Sequence, residues 1–368
     1  MFLPREEFEF AMRQNLRRPA VILLSLSLLL LAACNRQPSP VPGPGPDMLQ
    51  PTFSRMPPPA DYSFLTSTLP AMVTPPNADD PYKIDFRHRD ASGMDLTGQG
   101  KLLADWAAFD TATRWPEALP PDFNPERLLE LGKNPGLGVR ALHAKGITGK
   151  GVHVAYVDQT LLLDHAEYQG RIVRYAEIGK VPEQAEMHAS AVVSILAGKT
   201  VGVAPDAFVT YYAAYSDDDH PKLANRAAAV NAILDENAHL PPSQRVRVIG
   251  MSLDWMPDTP GVAEMEKAIA RAKKEGVGVF SVGTERYYKV GFMGAGRDPA
   301  ADFDDLKAYG PGAFWADDFY RYPARYNRWF WVPMDARTTA GPGSQTEYAF
   351  YRINGMSWAV PWVTGMYA

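Results

Sequence analysis

The apolar positions of this chain follow two periods. Residues 152–157 (VHVAYV), 246–253 (VRVIGMSL) and 277–282 (VGVFSV) are short, largely apolar runs without helical spacing, and they read as strands buried on both faces. Around them the spacing lengthens to three and four, so that residues 188–196, 223–238 and 262–275 predict helices, the last closed by Gly276. Strands alternating with helices predict an α/β fold on a mostly parallel sheet. Residues 80–145 lack strong alternation, apart from a helix predicted over 125–131, and read as a covering layer or a pro-segment-like arm. Residues 320–332 (YRYPARYNRWFWV) read as edge strands with aromatic packing, with a partner-contacting patch as the rival reading. No internal repeat is present.

The N-terminus has a different character. Arg17 and Arg18 precede an apolar run over 21–31 that ends in Ala32-Ala33-Cys34, the arrangement of a secretory signal. The run is short for a membrane span. Residues 1–11 hold three acidic residues and fit a basic leader poorly, which makes Met12 an alternative start. Leu31-Ala32-Ala33-Cys34 resembles the lipobox of bacterial lipoproteins, which implies cleavage before Cys34 and lipid on it. Cys34 is the only cysteine, so no disulfide forms within the chain and no other thiol is left for catalysis. An ordinary signal with an incidental cysteine is the plainer reading. A Pro- and Gly-rich stretch, 37–59, reads as an extended tether. The expected organisation is therefore a signal over 1–33, a lipidated cysteine and tether over 34–78, an extension over 79–145 and the main domain over 146–368. With 46% hydrophobic residues the chain can bury a sizeable core, and its net charge of −5 gives no basic field for nucleic acid.

Three residues carry candidate chemistry. Asp158 stands at the carboxyl end of the first predicted strand, where ligands bind in such folds, although a turn or capping aspartate fits as well. His188 opens a helix whose next residues are small enough to pack against an imidazole; a structural histidine is the competing reading. Ser357 lies in NGMSWAVPWVTG, residues 354–365, where Pro361 sets a helix start just upstream. A serine there either caps the helix or acts as a nucleophile beside free backbone N–H groups.

The order Asp, His, Ser on an α/β fold is that of the subtilisin type of triad. Residues 149–158 (GKGVHVAYVD) resemble the strand bearing the subtilase aspartate, and 188–195 (HASAVVSI) the histidine helix. Residues 201–207 (VGVAPDA) match the segment after it, and 355–361 (GMSWAVP) with 363–365 match the nucleophile motif Gly-Thr-Ser-Met-Ala-x-Pro. The resemblance runs from about Gly146 to Ala368 and leaves residues 1–145 uncovered. It implies a three-layer subtilisin-like fold and a serine endopeptidase acting through an acyl-enzyme. Ser357 would be the nucleophile, His188 the general base and Asp158 the group that orients it. Thr284 and the Ser357 N–H would face the oxyanion. Ser252, Leu253 and Gly283 would border a peptide lying as an added strand.

Departures accompany the match. Asp158 is followed by Gln159-Thr160 rather than Ser/Thr-Gly, and the histidine motif lacks its glycine and second histidine. Thr284 stands where the family has an oxyanion-binding asparagine, and loss of such a donor costs roughly 10²–10³ in turnover. Asp254 replaces a glycine beside the substrate edge. Family members continue beyond the position of Ala368, so a fragment is one expectation. Residues 216–220 (SDDDH) read as a solvated loop rather than a calcium site, and neither metal nor cofactor is called for. The expected protein is an exported cell-envelope lipoprotein whose partners are a peptide substrate and a membrane reached through Cys34. A binding lipoprotein on a subtilase scaffold and an esterase using the same triad are the rivals.

Overall fold

The computed structural model describes residues 50–64 and 84–368, so Cys34 and the predicted signal lie outside the described residues. The described residues open with β1 (Thr52–Phe53), β2 (Ile84–Asp85), α1 (Gly100–Trp106), β3 (Ala107–Asp110), α2 (Pro125–Gly132) and α3 (Val139–His143). There follow β4 (His153–Asp158), β5 (Ile172–Ile178), α4 (Met187–Ala197), β6 (Phe208–Ala214), α5 (Lys222–His239), β7 (Val248–Gly250), α6 (Val262–Lys274) and β8 (Gly278–Phe280). The last part adds α7 (Glu285–Tyr288), β9 (Phe292–Arg297), β10 (Tyr309–Pro311), α8 (Ala316–Arg321), α9 (Pro323–Tyr326), β11 (Phe330–Pro333), β12 (Arg337–Ala340), β13 (Tyr348–Tyr351) and α10 (Ala359–Tyr367).

A six-stranded sheet in the order β1-β5-β6-β4-β7-β8 forms the centre, with every neighbouring pair parallel. Side chains of β4 divide between its faces. Val154 and Tyr156 join Val192, Ile195, Val360 and Val363 of α4 and α10, whereas Ala155 and Val157 join Val230, Ile233, Met265 and Ile269 of α5 and α6. Both faces are thus covered, which is why β4 reads as an unbroken apolar run. The result is a three-layer α/β fold, as expected. Each fully buried Val or Ile in it is worth about 1.5–3 kcal/mol relative to exposure.

The layer containing α4 is packed closely. Every residue from Ala189 to Ala197 is buried, the condition of a helix that is apolar all round. Its end is hooked by Val203 N–H to Ile195 O at 3.0 Å and Ala204 N–H to Leu196 O at 2.9 Å. Gly202 is required there, since a Cβ would lie 2.3 Å from Gly198 N. The chain passes from β6 to β7 across β4, so the strand order reverses at β4 and Asp158 ends it in the crevice where α/β sheets bind ligands.

Three expectations are refined. The run 246–253 is a strand only over Val248–Gly250, because Leu253 N–H turns back to Met251 O at 2.7 Å. Residues 316–326 form α8 and α9 rather than edge strands: Asp317 and Asp318 favour the first turn of α8, and Pro323 starts α9. Only β11 is a strand there, at the edge of the sheet β10-β9-β11, while Trp315, Phe319, Tyr326 and Trp331 stack as an aromatic cluster. Within the stretch 80–145, the residues described from 84 onward pack onto the rest of the fold. There β2 and β3 complete a four-stranded sheet with β13 and β12, and Phe86, Phe109, Phe123 and Phe350 share one core.

Residues 50–64 run as a belt from the central sheet to the four-stranded one. β1 extends the central sheet beside β5, and Arg55 donates to Pro182 O at 2.6 Å and to Glu183 O while pairing with Glu177 at 2.8 Å. Ala185 N–H then meets Pro58 O and Ala60 N–H meets Pro342 O, each at 2.9 Å. Finally the Tyr62 ring stacks on His88 at 3.7 Å. His88 holds a left-handed backbone, φ 57°, unusual for a residue with a side chain. Asp110 Oδ2 secures it by accepting from the His88 N–H at 2.9 Å and from Nδ1 at 2.8 Å, and Glu347 Oε2 faces Nε2 at 3.0 Å. Burial opposes the charged imidazolium, but the bonds to Asp110 and Glu347 outweigh it and push His88 up to about 9.

A group raised in the folded state stabilises fully below its unfolded value of 6.5 and ceases to as pH rises through about 9. His88→Gln should therefore cost roughly 2 kcal/mol in chemical denaturation at pH 7 and much less near pH 10. A penalty independent of pH would contradict the ionic clamp.

Candidate active site

Asp158, the last residue of β4, is fully buried. Its Oδ1 meets His188 Nδ1 at 2.7 Å and accepts the Gln159 N–H at 2.9 Å. Burial pushes this carboxyl up, but the His188 imidazole, Arg226 and the Gln159 N–H together hold it below the usual range. His188 is the second residue of α4, and its side chain is 22% exposed, so the ring spans buried carboxylate and solvent. That placement leaves Nε2 as the outward nitrogen.

Ser357 occupies a single 3₁₀ turn, Met356–Trp358, that leads into α10. It is half-buried. The next residue, Trp358, sets its ring edge-on to His188 with centroids 5.5 Å apart and packs on Tyr351 at the same separation. The Ser357 turn and the imidazole thus share one wall. Its backbone is fixed from below: Ser252 Oγ donates to Ser357 O at 2.7 Å, and the buried Tyr156 hydroxyl donates to Ser252 Oγ at 2.6 Å. Gly250 lets this relay form, since a Cβ there would come 2.3 Å from the Tyr156 ring.

The remaining predicted residues fall on two neighbouring segments. Ser252 is turned toward Ser357 rather than outward, and Leu253 O accepts the Val282 N–H at 3.1 Å, joining the segment after β7 to the one after β8. Gly283 faces an ion pair, with its would-be Cβ 2.8 Å from Arg286 Cζ and 2.9 Å from Asp254 Oδ1. Arg286 bonds Asp254 at 2.6 Å and Trp255 O at 2.6 Å, so the replaced glycine position carries a charged bridge. Thr284 is buried, and its hydroxyl donates to Ser281 O at 2.5 Å while accepting the Ser281 N–H at 2.8 Å. Its one proton is used within that turn. The structure therefore brings Asp158 and His188 into contact and sets the Ser357 turn beside them, while Thr284 closes a local loop.

Sequence reasoning missed the Tyr156–Ser252 relay and Arg226, a buried cation on α5. Neither has a motif, and both depend on which strands become neighbours. In the loop over 216–220, Asp217 accepts from the Asp219 and His220 N–H groups and from Asn225, which hold its carboxyl down to about 2.

No protein-family model matches the chain. Over 146 residues it is 29% identical to the Subtilisin-like protease PopC of Myxococcus xanthus (strain DK1622), covering 35% of this chain and 30% of that protein. The chain thus spans less than a third of this curated relative's length. Among solved structures, the prenylagaramide maturation protease PagA aligns with a TM-score of 0.41 at 17% identity, over 62% of this chain and 77% of that one. The PatG macrocyclase domain aligns with a TM-score of 0.41 at 13% identity, over 62% and 79% of the two chains. The parallel sheet between two helical layers and the order of the Asp, His and Ser segments thus stand beside a partial sequence similarity to a subtilisin-like protease.

Proposed function

We propose that the protein is a serine endopeptidase of the subtilase type, working outside the cytoplasm and held at a membrane by lipid on Cys34. One observation carries the catalytic part. The buried Asp158 carboxylate sits 2.7 Å from His188 Nδ1 at the end of β4, and Ser252, just after the neighbouring strand β7, fixes the Ser357 turn. The bond to Nδ1 selects the tautomer that leaves Nε2 free as a base. Ser357 Oγ then attacks the scissile carbonyl as His188 Nε2 takes its proton, and Asp158 stabilises the imidazolium so formed. The same proton goes to the leaving amine, and water repeats the sequence on the acyl-enzyme. The Ser357 N–H, in a first helical turn, is available to the oxyanion. Support for the location comes from the basic, apolar and cysteine pattern over residues 17–34.

A second reading is favoured by one observation. The Thr284 hydroxyl proton is committed to Ser281 O, which leaves the oxyanion with fewer donors. On that reading the protein is a catalytically weak scaffold that binds peptides.

Covalent labelling with a fluorophosphonate probe separates the two. Wild type should label, Ser357→Ala should not, and His188→Ala should label at least about 10³-fold more slowly. A well-folded wild type that takes no label supports the scaffold. With substrates, peptide cleavage should accompany ester turnover; rapid ester turnover alone would remove the peptidase reading. For the anchor, a metabolically supplied radiolabelled fatty acid should mark the wild type and not Cys34→Ala, and equal incorporation would overturn it.

A further inference from the structure

The belt of residues 50–64 meets the body of the fold on the segment that leads into His188. His188 is the second residue of α4, which is entered from the loop 182–186, and Pro182, Glu183 and Gln184 of that loop are exposed. Glu186, the residue before the helix, places no side-chain bond on its first turn. Two sets of contacts grip the loop instead. From the inner side comes Thr160, two residues beyond Asp158. Its Oγ1 donates to Pro182 O at 3.2 Å, its carbonyl accepts the Glu186 N–H at 2.9 Å, and its own N–H donates to Glu186 Oε2 at 3.2 Å. From the outer side comes the belt. Arg55 donates to Pro182 O at 2.6 Å and to Glu183 O, the Asp61 N–H donates to Gln184 Oε1 at 3.1 Å, and Pro58 O accepts the Ala185 N–H at 2.9 Å.

Residues 182 to 185 are thus each bonded to the belt, and Pro182 O takes one donor from the belt and one from the Asp158 segment. The belt is itself anchored away from this loop. Ser54 N–H meets Tyr175 O at 2.9 Å beside β5, Ala60 N–H meets Pro342 O at 2.9 Å, and Tyr62 stacks on His88. Exposed loops sit at the low end of local stability, and ties to two fixed points remove that freedom. Arg55 suits the task, because a guanidinium forks across adjacent carbonyls as a charge-assisted donor, and Glu177 at 2.8 Å holds it to β5.

We propose that the belt is a strap that positions His188, with Arg55 as its positioning residue: by pressing the loop 182–185 onto Thr160 it sets where α4 begins and keeps the imidazole on Asp158 Oδ1. This rests on the triad reading above. A 2.7 Å bond between carboxylate and ring leaves little room for the helix start to wander, and a misplaced base lowers the maximal rate rather than the affinity.

The test uses the full-length protein in detergent with Arg55→Met and Arg55→Lys. In Arg55→Met the maximal rate of fluorophosphonate labelling should fall about 10-fold at an unchanged half-saturating probe concentration. The ¹⁵N resonance of His188 Nδ1 should move toward that of an imidazole not bonded to a carboxylate. Arg55→Lys, which keeps one charged donor, should recover part of both. A belt that only stabilises the fold would lower the melting temperature and leave rate and resonance in place; that result in a folded Arg55→Met overturns the proposal. A weaker half-saturation at full maximal rate also overturns it, since the belt would then border the probe rather than position the base. Should Arg55→Met not fold, Gln184→Ala, which loses the tie to Asp61, serves the same comparison. If the wild type takes no label the triad reading fails, and the His188 resonance alone decides: a shift in Arg55→Met supports the strap and an unmoved signal refutes it.

Discussion

A carboxylate with no access to water, held at the end of a central strand, is the constraint on which this structure turns. Asp158 is buried because β4 is covered on both faces, by α4 and α10 on one side and by α5 and α6 on the other. Such a group is tolerable only with partners. His188 supplies one and Gln159 N–H another, and the charge of Arg226 also favours the ionised carboxyl. The packing of α4 follows from the same need. Its wholly buried body, with small residues next to His188, fixes the imidazole at the carboxylate, while the ring's other edge reaches solvent.

The Ser357 turn depends on that sheet in a second way. Tyr156 points from β4 across Gly250 of β7 to Ser252, which holds Ser357 O, so the neighbouring strands are tied to the turn that opens α10. Residues 84–145 and the belt complete the body from outside. β3 pairs with β13, which leads directly to the Ser357 turn, and the belt spans the segment before His188 and the loop at Pro342. Elements distant in sequence therefore converge on one crevice.

Much of this was legible from the residues. β4 and α4 to α6 announced themselves because burial on both faces or on one stripe leaves a period in the sequence. β5 did not, since its Arg174 and Glu177 interrupt the apolar run near the sheet's edge, where Arg174 pairs with Glu236 at 2.6 Å. Resemblance led to Asp158, His188 and Ser357 as a group, and tertiary contact alone showed what Ser252 does. Thr284 illustrates a competing local force: a hydroxyl three residues from a free backbone group satisfies it, whatever the aligned position does elsewhere. Arg226 was hidden in the helical spacing of residues 223–238, where a charged residue reads as solvent-facing until the fold buries it.

The central claim is that Asp158, His188 and Ser357 act as one unit on one reacting atom. The most direct test is a crystal structure of the protein after reaction with a fluorophosphonate. The account predicts continuous density from Ser357 Oγ to phosphorus, His188 Nε2 within hydrogen-bond reach of the adduct, and Asp158 Oδ1 still on Nδ1. An adduct on another side chain, or one on Ser357 with His188 turned away, would contradict it.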